Sequence, residues 1–261
     1  MKLHDVFAQA KAENRATLIG YMPAGFPTKD GSQRLIAAMI EGGVDIVEVG
    51  FPYSDPVMDG PVIQQAAEIA LRNNTSARDV LDVVASSTVP TLVMSYWNPI
   101  ERYGSAKFAG DLSQAKGVGV ITPDLTVEES EDWISATDEQ NVGRVYVVAP
   151  SSSDTRLKSV AAACSGFVYA ASLMGVTGAR TSISGAASEL VTRVRRVTDL
   201  PVAVGLGVSN AEQAAEVAMY ADGVIVGSAF IKLVLEAESF EASIVAVRSL
   251  AQQLSAGVRR S

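Results

Sequence analysis

The stretch "VDIVEVGFPYSDPVMDGPVIQ", residues 44–64, decides how the rest of the chain is read. Its first part, "VDIVEVG" (44–50), is short, apolar and rich in β-branched residues, as suits a strand buried on both faces. Beyond Asp45 at its entrance, one carboxylate, Glu48, interrupts the run near its end. The loop that follows carries Pro52, Pro56 and Pro61, with Asp55 and Asp59 among them. Side chains alternate along a strand, so Ile46 and Glu48 share one face and Val47 and Val49 the other. If helices cover the valine face, Glu48 points inward at the strand's C-terminal end. The prolines restrict the loop that places Asp59 above it.

Seven further runs resemble this one: "TLIGYM" (17–22), "TLVMSY" (91–96), "GVGVIT" (117–122), "RVYVVA" (144–149), "GFVYAA" (166–171), "PVAVGL" (201–206) and "GVIVGS" (223–228). Amphipathic segments separate most of them, several opening on a capping residue, such as Thr126 ahead of Glu129 and Ser209 ahead of Glu212. Alternating strands and helices fill all 261 residues without a linker, which predicts one domain, residues 1–261. An open doubly wound sheet would want a glycine fingerprint after its first strand, and "GYMPAGFP" is not one. The expected fold is a (β/α)8 barrel with an extra N-terminal helix and a short helix after strand eight. In that fold the active site lies at the C-terminal ends of the strands.

Composition narrows the chemistry. The net charge is −8 and no dense basic stripe exists, which speaks against nucleic acid as a partner. The single cysteine, Cys164, excludes an internal disulfide and reads as a small buried hydrophobe. The only histidine, His4, lies on the N-terminal helix, so histidine-ligated metal and Ser-His hydrolysis have no support. No lysine falls within a strand run, and Lys232 follows the eighth, which leaves a Schiff base without its amine. The N-terminus lacks the apolar core of a secretory signal, and the protein is expected in the cytoplasm.

What remains at the strand ends is carboxylates, tyrosines, glycines and small hydroxylated residues. Glu48 and Asp59 are the candidates for acid/base chemistry. Taken alone, Asp59 in "MDGP" also fits a turn, as do Asp55 and Asp124. Gly207, Gly227 and Ser228 follow strands seven and eight, where barrels commonly bind phosphate on backbone N–H groups and a helix N-terminus. Tyr21, Tyr96, Tyr169 and Leu206 fall near the rim and suit either packing or a flat apolar ligand.

Glu48 with "GFPYSDPVMDGPVIQ", then "GVTGAR", "GLGVS" and "DGVIVGSA", in that order, resembles the tryptophan synthase α-subunit family over essentially the whole chain. The resemblance implies cleavage of indole-3-glycerol phosphate to indole and glyceraldehyde 3-phosphate, without metal or cofactor in this chain. Glu48 would be the general acid/base, and Asp59 would face the indole N–H. Tyr21, Tyr96, Ile121, Val148 and Leu206 would line the indole pocket, with Tyr169 beside the glycerol chain. Thr177 would bond Asp59 as residues 173–188 close. Gly178, Gly207, Gly227 and Ser228 would cradle the phosphate. The implied partner is a pyridoxal-phosphate β subunit in an α2β2 heterotetramer, met through Pro52, Asp55 and Asn98. Many members have Phe at the positions of Tyr21 and Leu206, and Arg at that of Leu173, so the fine pocket shape is open. Another phosphate-binding barrel isomerase, or a catalytically weak allosteric partner of the β subunit, is the alternative.

Overall fold

A computed structural model describes residues 2–171, 180–205 and 207–260, the side chains of 180–184 excepted. Thr177, Gly178, Leu173 and Leu206 lie outside the described residues. The strands are β1 (Thr17–Pro23), β2 (Ile46–Gly50), β3 (Thr91–Met94), β4 (Gly119–Thr122), β5 (Gly143–Val148), β6 (Val168–Ala171), β7 (Val202–Gly205) and β8 (Gly223–Val226). All pair in parallel and in chain order, and β8 returns to β1, giving a closed eight-stranded barrel. The expected architecture is present.

The helices are α1 (Leu3–Ala12), α2 (Lys29–Glu41), α3 (Pro61–Arg72), α4 (Ala77–Ser86), α5 (Trp97–Tyr103), α6 (Ser105–Gln114), α7 (Glu131–Glu139), α8 (Asp154–Ala163), α9 (Arg180–Arg195), α10 (Ala211–Ala218), α11 (Ser228–Glu236) and α12 (Phe240–Gly257). The crossovers after β2 and β3 each hold two helices rather than the one expected. The breaks have local causes. Asn74 takes a left-handed φ of 54° after α3, and Ser76 then caps α4 in a reciprocal pair with Asp79. Gly104, at φ 95°, separates α5 from α6. The cap expected at Ser209 falls one residue later. Asn210 accepts the Gln213 N–H at 2.9 Å, and the Gln213 side chain reaches back to the Ser209 N–H at 2.8 Å.

Alternation along the strands separates two cores. Val47, Val49, Val93, Val120, Val204 and Val224 face outward and pack against the helices. Ile19, Ile46, Leu92, Ile121, Val145, Phe167, Ala203 and Ile225, one from each strand or its approach, fill the barrel interior. Leu3, Val6 and Phe7 of α1 join that interior cluster and plug the N-terminal end, with Phe7 and Phe167 ring centroids 5.6 Å apart. Cys164 ends α8 as a buried thiol that accepts the Tyr146 N–H at 3.4 Å, and burial pushes its pKa up to about 11. It behaves as packing, as the sequence suggested.

The lower face is held by acids at strand entrances. The Asp45 carboxylate, just before β2, accepts the Leu18 N–H at 2.8 Å and Arg15 Nη1 and Nη2 at 2.6 and 3.0 Å. Asp222, before β8, accepts the Val202 N–H at 3.0 Å and Arg195 Nη2 at 2.9 Å. These clamps tie β1 to β2 and β7 to β8 far from the open end. Asp45→Ala leaves Arg15 and the Leu18 N–H short of an acceptor and should cost about 2–4 kcal/mol of stability. Denaturant titration should show the loss, with activity per folded molecule unchanged at low temperature.

Candidate active site

The inward-facing position two residues beyond the interior layer forms the floor of an open cleft at the C-terminal end of the barrel. From strand to strand it is occupied by Tyr21, Glu48, Met94, Pro123, Val147, Tyr169, Gly205 and Gly227. The cleft has a volume of about 400 Å³, and Met58, Asp59, Pro61, Val62, Ile63, Gly207 and Ser228 complete its rim. An aliphatic wall, two carboxylates and a glycine-rich corner therefore share one opening.

Glu48 is 2% exposed, lies in register with Tyr21 on β1 and Leu92 on β3, and has no hydrogen-bond partner for Oε1. Burial alone raises its pKa to about 8. Asp59 is half-buried on the loop above. Burial raises its pKa to about 6, against a hydrogen bond from the Tyr96 hydroxyl that lowers it. Near neutral pH the pair is thus split, with Glu48 protonated and Asp59 ionised. Two carboxyls pushed apart in this way can serve as acid and as counter-charge.

Tyr21 and Tyr169 flank Glu48. Their phenols are held above the usual range by burial and by the nearby carboxyls. Each ring needs a glycine on the neighbouring strand end. A Cβ on Gly50 would stand 2.3 Å from the Tyr21 hydroxyl, and one on Gly205 would stand 2.4 Å from that of Tyr169. The corner made by the ends of β7 and β8, between Tyr169 and Tyr21, is polar but uncharged. Gly207 takes a φ of 70° that favours glycine, Gly227 precedes α11, and no side chain caps that helix. Gly227 and Ser228 line the cleft where α11 begins, which is an anion site in form.

Four expectations are corrected. Val148 faces the helical layer, because β5 turns Val145 and Val147 inward and Tyr146 and Val148 outward; Val147 lines the cleft instead. Ile121 lies one layer too low, in the barrel interior, and Pro123 takes its place at the opening. Tyr96 is buried behind the Asp59 loop rather than lining the cleft. Pro52, expected at a partner surface, is buried at the base of its loop, whereas Asp55 and Asn98 are exposed. Of residues 173–188, those from Arg180 onward begin α9. Asp124 accepts the Trp97 N–H at 2.8 Å at the start of α5, a structural role. Met58, Met94, Val147 and Ile225 were missed. Extending the Glu48 alternation to every strand would have found Met94 and Val147, since each follows an interior residue by two.

Comparison with known proteins agrees with this geometry. A family model described as tryptophan synthase alpha chain matches residues 7–259. The chain is similar to the tryptophan synthase alpha chains of Streptomyces avermitilis, at 57% identity over 98% of this chain and 94% of that one, and of Thermobifida fusca, at 57% over 97% and 96%. Among solved structures it is similar to Mycobacterium tuberculosis tryptophan synthase, with a TM-score of 0.92, 49% identity and coverage of 99% of this chain and 98% of that chain.

The burial of Glu48 has a thermodynamic consequence. A carboxyl whose folded pKa of about 8 exceeds its unfolded value lowers stability as pH rises through the interval between them. Glu48→Gln removes that burden. Its melting temperature should match wild type near pH 5 and exceed it increasingly up to pH 8, as scanning calorimetry at several pH values would show.

Proposed function

The chain belongs to the tryptophan synthase alpha chain family, and from that premise we propose that Glu48 and Asp59 divide one retro-aldol reaction between them. The enzyme is a carbon–carbon lyase of tryptophan biosynthesis. It cleaves indole-3-glycerol phosphate to indole and glyceraldehyde 3-phosphate. It needs no cofactor of its own; pyridoxal phosphate belongs to the β subunit, its partner in the α2β2 complex.

Breaking the bond between indole C3 and the glycerol carbon requires somewhere for the electron pair to go. Protonating C3 makes the ring an electron-accepting iminium. Protonated Glu48 at the cleft floor supplies that proton, and its carboxylate then takes the proton of the adjoining hydroxyl as the carbon–carbon bond breaks. Proton transfer by one positioned group is typically worth about 10²–10⁴-fold. Ionised Asp59 faces the ring nitrogen and stabilises its developing positive charge. Tyr21, Met94, Pro123 and Val147 form the apolar side for the indole ring, and Tyr169 stands by the glycerol chain. Gly207, Gly227, Ser228 and the start of α11 receive the phosphate.

The observation that carries this reading is the buried, unpartnered Glu48 facing the same cleft as Asp59 and an uncapped helix N-terminus. A subunit that only regulated its partner would have no use for the destabilising acid. Val57 and Met58 are 81% and 53% exposed on the Asp59 loop, beside Asp55, and we read this edge as the face toward the β subunit. Indole released there passes to the partner rather than to the surrounding water. As a biosynthetic enzyme it works in the cytoplasm.

The two pKa values set the pH window. Activity needs Asp59 ionised, hence pH above about 6, and Glu48 protonated, hence pH below about 8. The kcat/KM profile for indole release should be a bell between those limits. Glu48→Gln should lower turnover by about 10³-fold or more, and Asp59→Asn severely, with circular dichroism unchanged. Near-normal turnover in either variant contradicts the assignment.

Ser228→Asp sets a like charge against the phosphate. It should raise KM far more than it lowers kcat, the pattern of a contact made equally in ground and transition states. Glycerol phosphate should then fail to protect the variant against thermal unfolding.

A further inference from the structure

We propose that Tyr96 is a positioning residue for Asp59: its hydroxyl fastens the 51–60 loop to the rigid end of β3 and aims the Asp59 carboxylate at the cleft. The inference rests on the role given to Asp59 above and adds the group that acts through it.

The ring of Tyr96 is 4% exposed and lies tilted against Tyr53 of the same loop, with centroids 5.3 Å apart. Its backbone is fixed from three sides. It takes the N-cap position of α5, its carbonyl accepts the Ser95 hydroxyl at 2.8 Å, and the next N–H, of Trp97, donates to Asp124 at 2.8 Å. From that frame the phenol oxygen accepts the Met58 N–H at 2.8 Å. The hydroxyl keeps one proton to give, and a donor there favours the ionised form of the neighbouring Asp59 carboxyl. One side chain thus grips the loop by its backbone, one residue before its acid.

The loop has little else to hold the carboxylate. Main-chain bonds fix the Asp59 backbone, its N–H to the Pro56 carbonyl at 3.0 Å and its carbonyl to Gln64 Nε2 at 2.8 Å. Neither restrains the side chain. Among the described residues, the titratable groups around Asp59 are Glu48 from β2, Tyr21 from β1, Tyr169 from β6 and Tyr96 itself, while Asp124 bears on Tyr96 from the end of β4. No cation stands among them. The Tyr96 hydroxyl is therefore the donor that favours ionised Asp59 against the burial that disfavours it. The neighbouring Val57 and Met58 are the most exposed large apolar residues of this loop. Pressure on them reaches Asp59 through the Met58 N–H and the Tyr96 oxygen.

The test uses the full chain in complex with the β subunit. Tyr96→Phe should lower kcat by about 10-fold, within the loss expected from misplacing a catalytic group by ~1 Å, and leave KM within about twofold. The acid limb of the kcat profile should move up by roughly half to one pH unit, the size of one lost hydrogen bond. Placing 3,5-difluorotyrosine at residue 96 strengthens the donor without changing its shape, and should move the same limb down. Tyr103→Phe, whose hydroxyl serves Asp111 and Lys107 on the outer surface, should move neither. An acid limb unchanged by both Phe and difluorotyrosine overturns the inference, whatever happens to kcat. If Tyr96→Phe fails to fold, the fluorinated chain still decides by the direction of its limb. A wild-type enzyme with no acid limb, or with Asp59→Asn fully active, would instead remove the role of Asp59 and this inference with it.

Discussion

Glu48 sits where the apolar interior of the barrel ends, with Leu92 beside it in register and no partner for Oε1, so the protein holds it uncharged through neutral pH. A buried carboxyl without a partner is costly as an anion and inexpensive as an acid. That asymmetry organises the upper half of the molecule. The strand must be buried on both faces to impose it, which is why β2 is otherwise valine, isoleucine and glycine. The second acid must remain ionised close by, which requires a stiff loop at the rim and a donor beneath it. In the proposed mechanism the phosphate corner must carry no permanent charge of its own close to Glu48, and the glycines and the start of α11 meet that condition.

The two ends of the barrel divide the work. At the lower end, α1 plugs the interior, and the Asp45 and Asp222 clamps each satisfy a backbone N–H and an arginine together. At the upper end Glu48 is left unpaired, and Tyr21 and Tyr169 rest against glycines that leave room for their hydroxyls.

Much of this was legible from residues alone. The eight apolar runs gave the barrel, the alternation around Glu48 gave its direction, and the order of the motifs gave the family. What escaped was a matter of depth and of single-residue phase. Val148 and Val147 are chemically alike, and choosing between them needs an interior residue, Val145, from which to count the alternation. Ile121 has the right face but the wrong layer, because strand stagger in a closed barrel cannot be read from composition. Tyr96 has the residue type of a ligand-facing aromatic, yet its place behind the loop depends on a contact between segments 38 residues apart. The shift of the cap from Ser209 to Asn210 turned on a local backbone conformation that no pattern of residue types fixes.

The central claim is that Glu48 is a neutral acid in the resting enzyme. Infrared difference spectroscopy of wild type minus Glu48→Gln isolates its carboxyl stretch and can follow it with pH. The band of a protonated, weakly hydrogen-bonded carboxyl should be present at pH 7 and disappear with a midpoint near 8. A carboxylate signal already complete by pH 5.5 would mean that Glu48 is ionised at rest, and the assignment of the proton donor would be wrong.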